Sequence, residues 1–173
     1  MAAFEICFSW VLPHEAGTPP SYEITNDNKG QVIAGVNSLA WPADFATIAA
    51  RPIDQRPSAV AAFYQRNFWS PFCDQIASNN IAAYLLDSRI NQGPGTGVGI
   101  LQEAVNACGM GLAVDGALGP NTVAAVNSVP WLALLHAFQD AREAAYRKIG
   151  GPNLPEWLAR AALLPKSGSC LRP

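Results

Sequence analysis

Residues 4–36 read FEICFSWVLPHEAGTPPSYEITNDNKGQVIAGV, and this stretch sets the fold class. Phe4, Cys7, Phe8, Val11 and Leu12 recur at helical spacing and describe one buried stripe that runs up to Pro13. Glu15 then falls just past a helix end. From Ala16 to Val36 the chain turns to Gly, Pro, Thr, Asn and Asp, with short apolar or β-branched pieces at Tyr22 to Thr25 and Gln31 to Val36. That punctuation predicts a loop and a small hairpin.

The rest of the chain is helical in pattern. Trp41 to Pro57 carries three prolines and allows only brief helix, whereas Ser58 to Trp69 lacks breakers and offers Ser58 as an N-cap. Ser78 or Asn79 caps the next helix, whose stripe Ile81, Tyr84, Leu85, Ser88 and Ile90 runs to a stop at Gly93. Gly93 to Gly99 reads as a flexible turn, with helix resuming over Ile100 to Cys108 and breaking around Asp115-Gly116. Helix restarts at Pro120, is longest over Trp131 to Ile149, and ends with a short piece over Pro155 to Leu163. Lys166 to Pro173 reads as a frayed tail. The expected architecture is a mainly α, bundle-like globule with a small β-hairpin near its N-terminus.

Composition narrows the function classes. A chain of 173 residues, 50% hydrophobic and 14% charged, buries a substantial core as one domain. A net charge of -2 and a pI near 5.6 supply no positive field for nucleic acid. The segment Met1 to Leu12 has no basic n-region and is too short to span a bilayer, so neither a secretory signal nor a membrane anchor is expected. Cys7, Cys73, Cys108 and Cys170 form no CxxC pair, and only His14 and His136 stand by to complete a metal site, so structural zinc is not expected. Two disulfides are possible, and small buried thiols account for the same residues.

Three blocks carry a resemblance. The first is Glu15-Ala16-Gly17, Tyr22, Asp27-Asn28-Lys29-Gly30 and Gly35-Val36-Asn37. The second is Tyr64-Gln65-Arg66-Asn67-Phe68-Trp69-Ser70-Pro71 with Asp87-Ser88-Arg89-Ile90-Asn91-Gln92-Gly93. The third runs from Leu101-Gln102 to Asp115-Gly116-Ala117-Leu118-Gly119-Pro120-Asn121-Thr122. In this order they resemble the phage and bacterial N-acetylmuramidases of the glycoside hydrolase 108 type, which fuse a lysozyme-like part to a peptidoglycan-binding-like part. Departures lie near the first block: residues are inserted between Gly17 and Tyr22, and the family's threonine falls on Val32.

The resemblance implies a lysozyme-like α+β fold over 1–173, with a muramidase-like part at 1–95 and a peptidoglycan-binding-like helical part at 96–165 packed on it. It implies hydrolysis of the β-1,4 bond between N-acetylmuramic acid and N-acetylglucosamine, with no cofactor and no metal, by a monomer. Glycosidic cleavage needs a protonated carboxyl, which an apolar setting favours, and a second carboxylate that attacks carbon or orients water. Glu15 and Asp27 fill these roles in the resemblance. Read from the residues alone, Glu15 equally decorates a helix end or makes a salt bridge, and Asp27 equally closes a turn on its own backbone.

Tyr22, Tyr64, Asp87 and Asn91 are the candidate sugar-binding residues, since sugars offer C–H faces to aromatics and hydroxyls to amides. Trp69 serves either the cleft or the core. Asp87 and Asn91, four residues apart on one helix face, either contact substrate or bridge neighbouring loops. The partner implied is the glycan strand of bacterial peptidoglycan, reached at the cell wall or periplasm by phage-type holin release or a dedicated secretion route. A non-catalytic wall-binding module, and a related enzyme on chitin or chitosan, are the competing readings.

Overall fold

The computed structural model describes residues 1–27 and 29–166. In chain order its elements are α1 (Phe4–Ala16), β1 (Thr25–Asp27), β2 (Gly30–Ile33), β3 (Val36–Asn37), α2 (Pro42–Ala49), α3 (Arg56–Phe68), α4 (Asn79–Gln92), α5 (Pro94–Ala107), α6 (Pro120–Ser128), α7 (Trp131–Ile149) and α8 (Leu154–Ala161). Short 3-10 turns lie at Ile53–Gln55 and Cys73–Gln75. The fold is mainly helical with one small antiparallel sheet, as the sequence predicts, in the lysozyme-like α+β class.

α4 is the axis of the molecule. Ten consecutive residues, Asn80 to Arg89, are buried, so it is covered all round rather than along the single stripe expected. α1, α5 and α7 pack on it, and α8 returns along α7. Ser78 caps α4 by accepting from Ile81 N–H at 3.4 Å, and Gly93, at φ 93°, ends it.

Three boundaries differ from expectation for local reasons. α1 continues through Pro13 to Ala16, so Glu15 sits in its last turn rather than beyond it. Proline removes one backbone donor, and Gly17 N–H still closes the end on Pro13 C=O at 3.1 Å. α3 starts at Arg56, with Pro57 in its first turn, so Ser58 is inside the helix and donates to Gln55 C=O instead of capping. The expected flexible turn at Gly93 to Gly99 is mostly helix: α5 begins at Pro94. Gly97 explains why that segment stays glycine-rich, since a Cβ there would stand 2.9 Å from Arg89 N and 3.0 Å from Arg89 Cα. The missing side chain lets α5 approach α4.

The hairpin gains a third strand. β1 pairs with β2 through Thr25 with Val32 and Asp27 with Gly30, and β2 pairs with β3 through Ile33 with Val36. Ala34 and Gly35 form the two-residue turn between β2 and β3, with φ 45° and 81°. Positive φ at both centres is what a tight hairpin turn demands.

Cys73 and Cys108 are free thiols, and Cys170 lies outside the described residues, as does the expected tail beyond Lys166. No described helix is long and apolar enough to cross a membrane.

Candidate active site

The sheet turn, the end of α1, α3, α4 and α8 converge on one carboxylate. Glu15 has a side chain 12% exposed and lines two adjoining cavities. The first, about 210 Å³, is bounded by Gly35, Trp41, Phe63, Tyr64, Asn91 and Arg160 among others. The second, about 150 Å³, is bounded by Ala16, Ser21, Glu23, Thr25, Val32 and Gly35 among others.

Aromatic packing fixes Tyr64. Its ring lies 5.0 Å from Phe8 and 5.2 Å from Phe63, centroid to centroid. Its hydroxyl donates to Ala34 C=O at 3.0 Å and reaches Glu15 Oε2 at 3.4 Å. The first of these bonds holds the strained left-handed Ala34 in place. Burial, then the charge of Glu15, pushes the Tyr64 phenol far above its usual range, so it acts as a neutral donor.

Gly35 lies directly against this pair. A Cβ at this position would overlap Tyr64 Oη and stand 2.7 Å from Glu15 Oε2. Gly35→Ala is therefore expected to displace the Glu15 carboxylate and the Tyr64 hydroxyl and, at a φ of 81°, to lower stability by about 1 kcal/mol or more. Urea unfolding of parent and variant checks this.

The other oxygen of Glu15 is committed. Arg160 Nη2 donates to Glu15 Oε1, and the same guanidinium donates to Asp87 at 2.7 and 3.1 Å. The Asn91 amide faces Arg160 as well, and with its oxygen turned toward the guanidinium, the orientation that satisfies both groups, it accepts at 2.6 to 3.1 Å. Arg160 comes from α8, 145 residues away in sequence. The apolar surroundings expected for Glu15 are thus only partly found, because a folded-back helix supplies a cation.

Asp87 lies beneath this layer with a side chain 0% exposed. It accepts from Arg142 Nη2 at 2.5 Å and meets His14 Nδ1 at 3.3 Å, in addition to Arg160. Burial alone would raise its pKa. The His14 hydrogen bond and the Arg142 and Arg160 charges reverse this and hold the carboxyl well below the usual carboxylate range. The two carboxylates likewise hold Arg160 above its ordinary value despite burial.

Of the residues singled out from sequence, Glu15, Tyr64 and Asn91 share one cavity, and Asp87 anchors it from below without reaching its surface. Tyr22 and Asp27 line neither cavity. Tyr22 is half-buried and its backbone C=O accepts from Arg56 at 2.9 Å. Asp27 is exposed and accepts from Lys29 N–H at 2.6 Å, the backbone turn that was its alternative reading. Trp69 packs edge-on against Phe4 and donates to Asp74 at 2.9 Å. Arg160 and Arg142 were not anticipated, and Gly35 was quoted only within a motif, without a role at the site. A cation's role depends on which helix returns to it, and no local spacing encodes that.

Residues 96–154 match the family described as "Predicted Peptidoglycan domain". That match ties the chain to peptidoglycan and the cell wall. No curated protein matches. Among ten matching chains of solved structures is the "Structure of Brucella abortus SagA", at TM-score 0.59 and 21% identity, covering 89% of this chain and 92% of that one. This is a likeness of fold.

Within the matched segment, the Leu101-Gln102 to Thr122 block is a structural knot. Gln102, 1% exposed, accepts from Asp115 N–H at 3.1 Å and Gly116 N–H at 2.9 Å. Its amide nitrogen faces Asp115 Oδ1 at 2.8 Å, Ala117 C=O at 3.2 Å and Thr122 Oγ1 at 3.2 Å. One side chain thus closes the loop between α5 and α6. Gln102→Ala leaves these groups without their buried partner, and a loss of about 1–3 kcal/mol is expected in urea unfolding.

Proposed function

We propose that the chain is a peptidoglycan hydrolase of the lysozyme type that cleaves the β-1,4 bond between N-acetylmuramic acid and N-acetylglucosamine, with Glu15 as general acid. The observation that carries this is the position of Glu15 between two adjoining cavities, where a glycan strand would place one sugar on each side of it. The glycoside hydrolase 108 resemblance and the peptidoglycan match at 96–154 support the same reading. We take 1–95 and 96–165 as the two parts of one domain, a view supported by the packing of α4 on both α5 and α7.

In this reading the Glu15 proton passes to the bridging oxygen as the C1–O bond breaks, and water adds to C1 and gives up its proton to a carboxylate of the site. Arg160 and Asn91 recognise hydroxyl or acetamido groups on one side. A sugar oxygen that accepts from Arg160 competes with Glu15 for those donors and frees the carboxyl for transfer.

The second carboxylate comes from β1 and the residues before it. Thr25, which lines the cavity, and Asp27 share a strand face, because alternate residues point the same way. Asp27 is our choice, and Glu23, which lines the cavity itself, is the neighbour to compare. Thr25 also bears on the departure at Val32: the two are register partners, so a hydroxyl stands across the strand from the position where the family has threonine.

The Arg160 contact on Glu15 favours a second reading, a wall-binding protein whose carboxylate never turns over. Mass spectrometry of digested sacculi separates the two. New reducing N-acetylmuramic ends support the hydrolase. N-acetylglucosamine reducing ends, or turnover of chitin alone, change the bond or glycan, and binding to sacculi without new ends supports the second reading.

A further inference from the structure

A further cavity, about 450 Å³, lies away from Glu15, where the start of α4 meets the end of α6 and the start of α7. Ile81, Val126, Val129, Pro130 and Trp131 give it an apolar wall, with Ser78 and Asn127 at its edge. None of its lining residues bounds either cavity at Glu15. Ser78 and Asn91 lie at opposite ends of α4, a helix about 20 Å long.

We propose that this cavity is a second glycan site that holds an uncharged N-acetylated sugar, the N-acetylglucosamine unit of the wall strand. The proposal rests on the peptidoglycan reading and is independent of the role of Glu15.

Three observations carry it. Five of the eight lining residues, from Val126 to Trp131, fall in the segment that matches the peptidoglycan family. No lining residue is charged, so the carboxylates and amines of a stem peptide, or the lactyl carboxylate of muramic acid, find no counter-charge here. A neutral sugar needs none. Trp131 is 37% exposed, and an accessible indole at the rim of an apolar wall suits the C–H face of a pyranose.

The walls are already braced. Asn127 Oδ1 accepts from Ala77 N–H at 2.8 Å and its Nδ2 donates to Gln75 C=O at 2.9 Å, which ties α6 to the segment before α4. Ser78 Oγ accepts from Ile81 N–H, and its O–H remains to donate to an acetamido carbonyl. A preformed cavity loses little ordering entropy on binding. Its place at the far end of α4 makes it a holding point for the strand while another part of the glycan lies at Glu15.

The test is a titration of the full chain, as Glu15→Gln, with chitotetraose, following the indole N–H signals of Trp131 and Trp41 by NMR. The proposal expects the Trp131 signal to shift and saturate, and Trp131→Ala to weaken that binding by at least about tenfold. A Trp131 signal that stays still while Trp41 responds overturns it, and so does an equal response to a free stem tetrapeptide. The indole signal needs no change to the cavity, so a Trp131→Ala chain that fails to fold does not rescue the idea. If Glu15→Gln degrades walls as fast as the parent, the catalytic reading fails while this result stands.

Discussion

Asp87→Asn lowers stability by about 3–5 kcal/mol, because it removes the counter-charge of a fully buried arginine. Arg142 has a side chain 0% exposed, and its charged partner is Asp87, with Gln92 and Tyr146 as neutral neighbours at 3.1 and 3.5 Å. The planar guanidinium also lies 4.9 Å from the ring centroid of Tyr84, a fully buried side chain. Taking the charge from Asp87 leaves a cation in the interior of the protein. For a chain of this size the loss corresponds to a melting point lower by roughly 6–20 °C. Urea unfolding of parent and variant measures it, and a change under 1 kcal/mol would contradict the account of the network.

The same group sets an acid limb. The Asp87 carboxyl is held below its ordinary value in the folded state, so its contribution is complete above the unfolded carboxylate pKa and is lost as pH falls through the folded one. Stability should therefore decline below about pH 4. In Asp87→Asn that part of the decline disappears. Stability measured from pH 6 down to pH 2 in both chains shows whether the limb belongs to this residue.

Much of the architecture was written in local pattern. α7 runs from Trp131 to Ile149 as its apolar spacing predicts, Ser78 caps α4, and Pro120 opens α6. These features depend on a few adjacent residues. Errors fell where tertiary packing outweighed local punctuation: Pro13 reads as a stop, yet α1 runs on through it. The glycines after Gly93 read as a flexible turn, but Gly97 is the small face that lets α5 lie against α4. β3 is two residues long, too short to leave an alternation in sequence.

The candidate site divides in the same way. Glu15, Tyr64 and Asn91 were legible because a motif order places them, and they meet in one cavity. Asp87 and Asn91 do share a helix face, as their spacing requires, but burial makes Asp87 an anchor. Arg160 was not legible, because its meaning arises only when α8 folds back and Tyr84 Oη binds Ala161 C=O at 2.6 Å. The break around Asp115-Gly116 before the helix that restarts at Pro120, read from sequence, is a turn held by Gln102.

Glu15→Gln keeps the shape of the site and removes the proton donor of the proposed reaction. The amide oxygen still accepts from Arg160, and Tyr64 remains held by Ala34, so the variant should fold as the parent does. Removing a positioned acid lowers the rate by on the order of 10²–10⁴-fold. Substrate binding changes little, since Arg160 and Asn91 still line the cavity. The decisive measurement is the rate at which purified sacculi release new reducing ends with the parent and with Glu15→Gln. The account predicts steady release of N-acetylmuramic ends by the parent and a fall of at least about 10²-fold in the variant, at unchanged melting temperature. Equal rates in the two chains would contradict it.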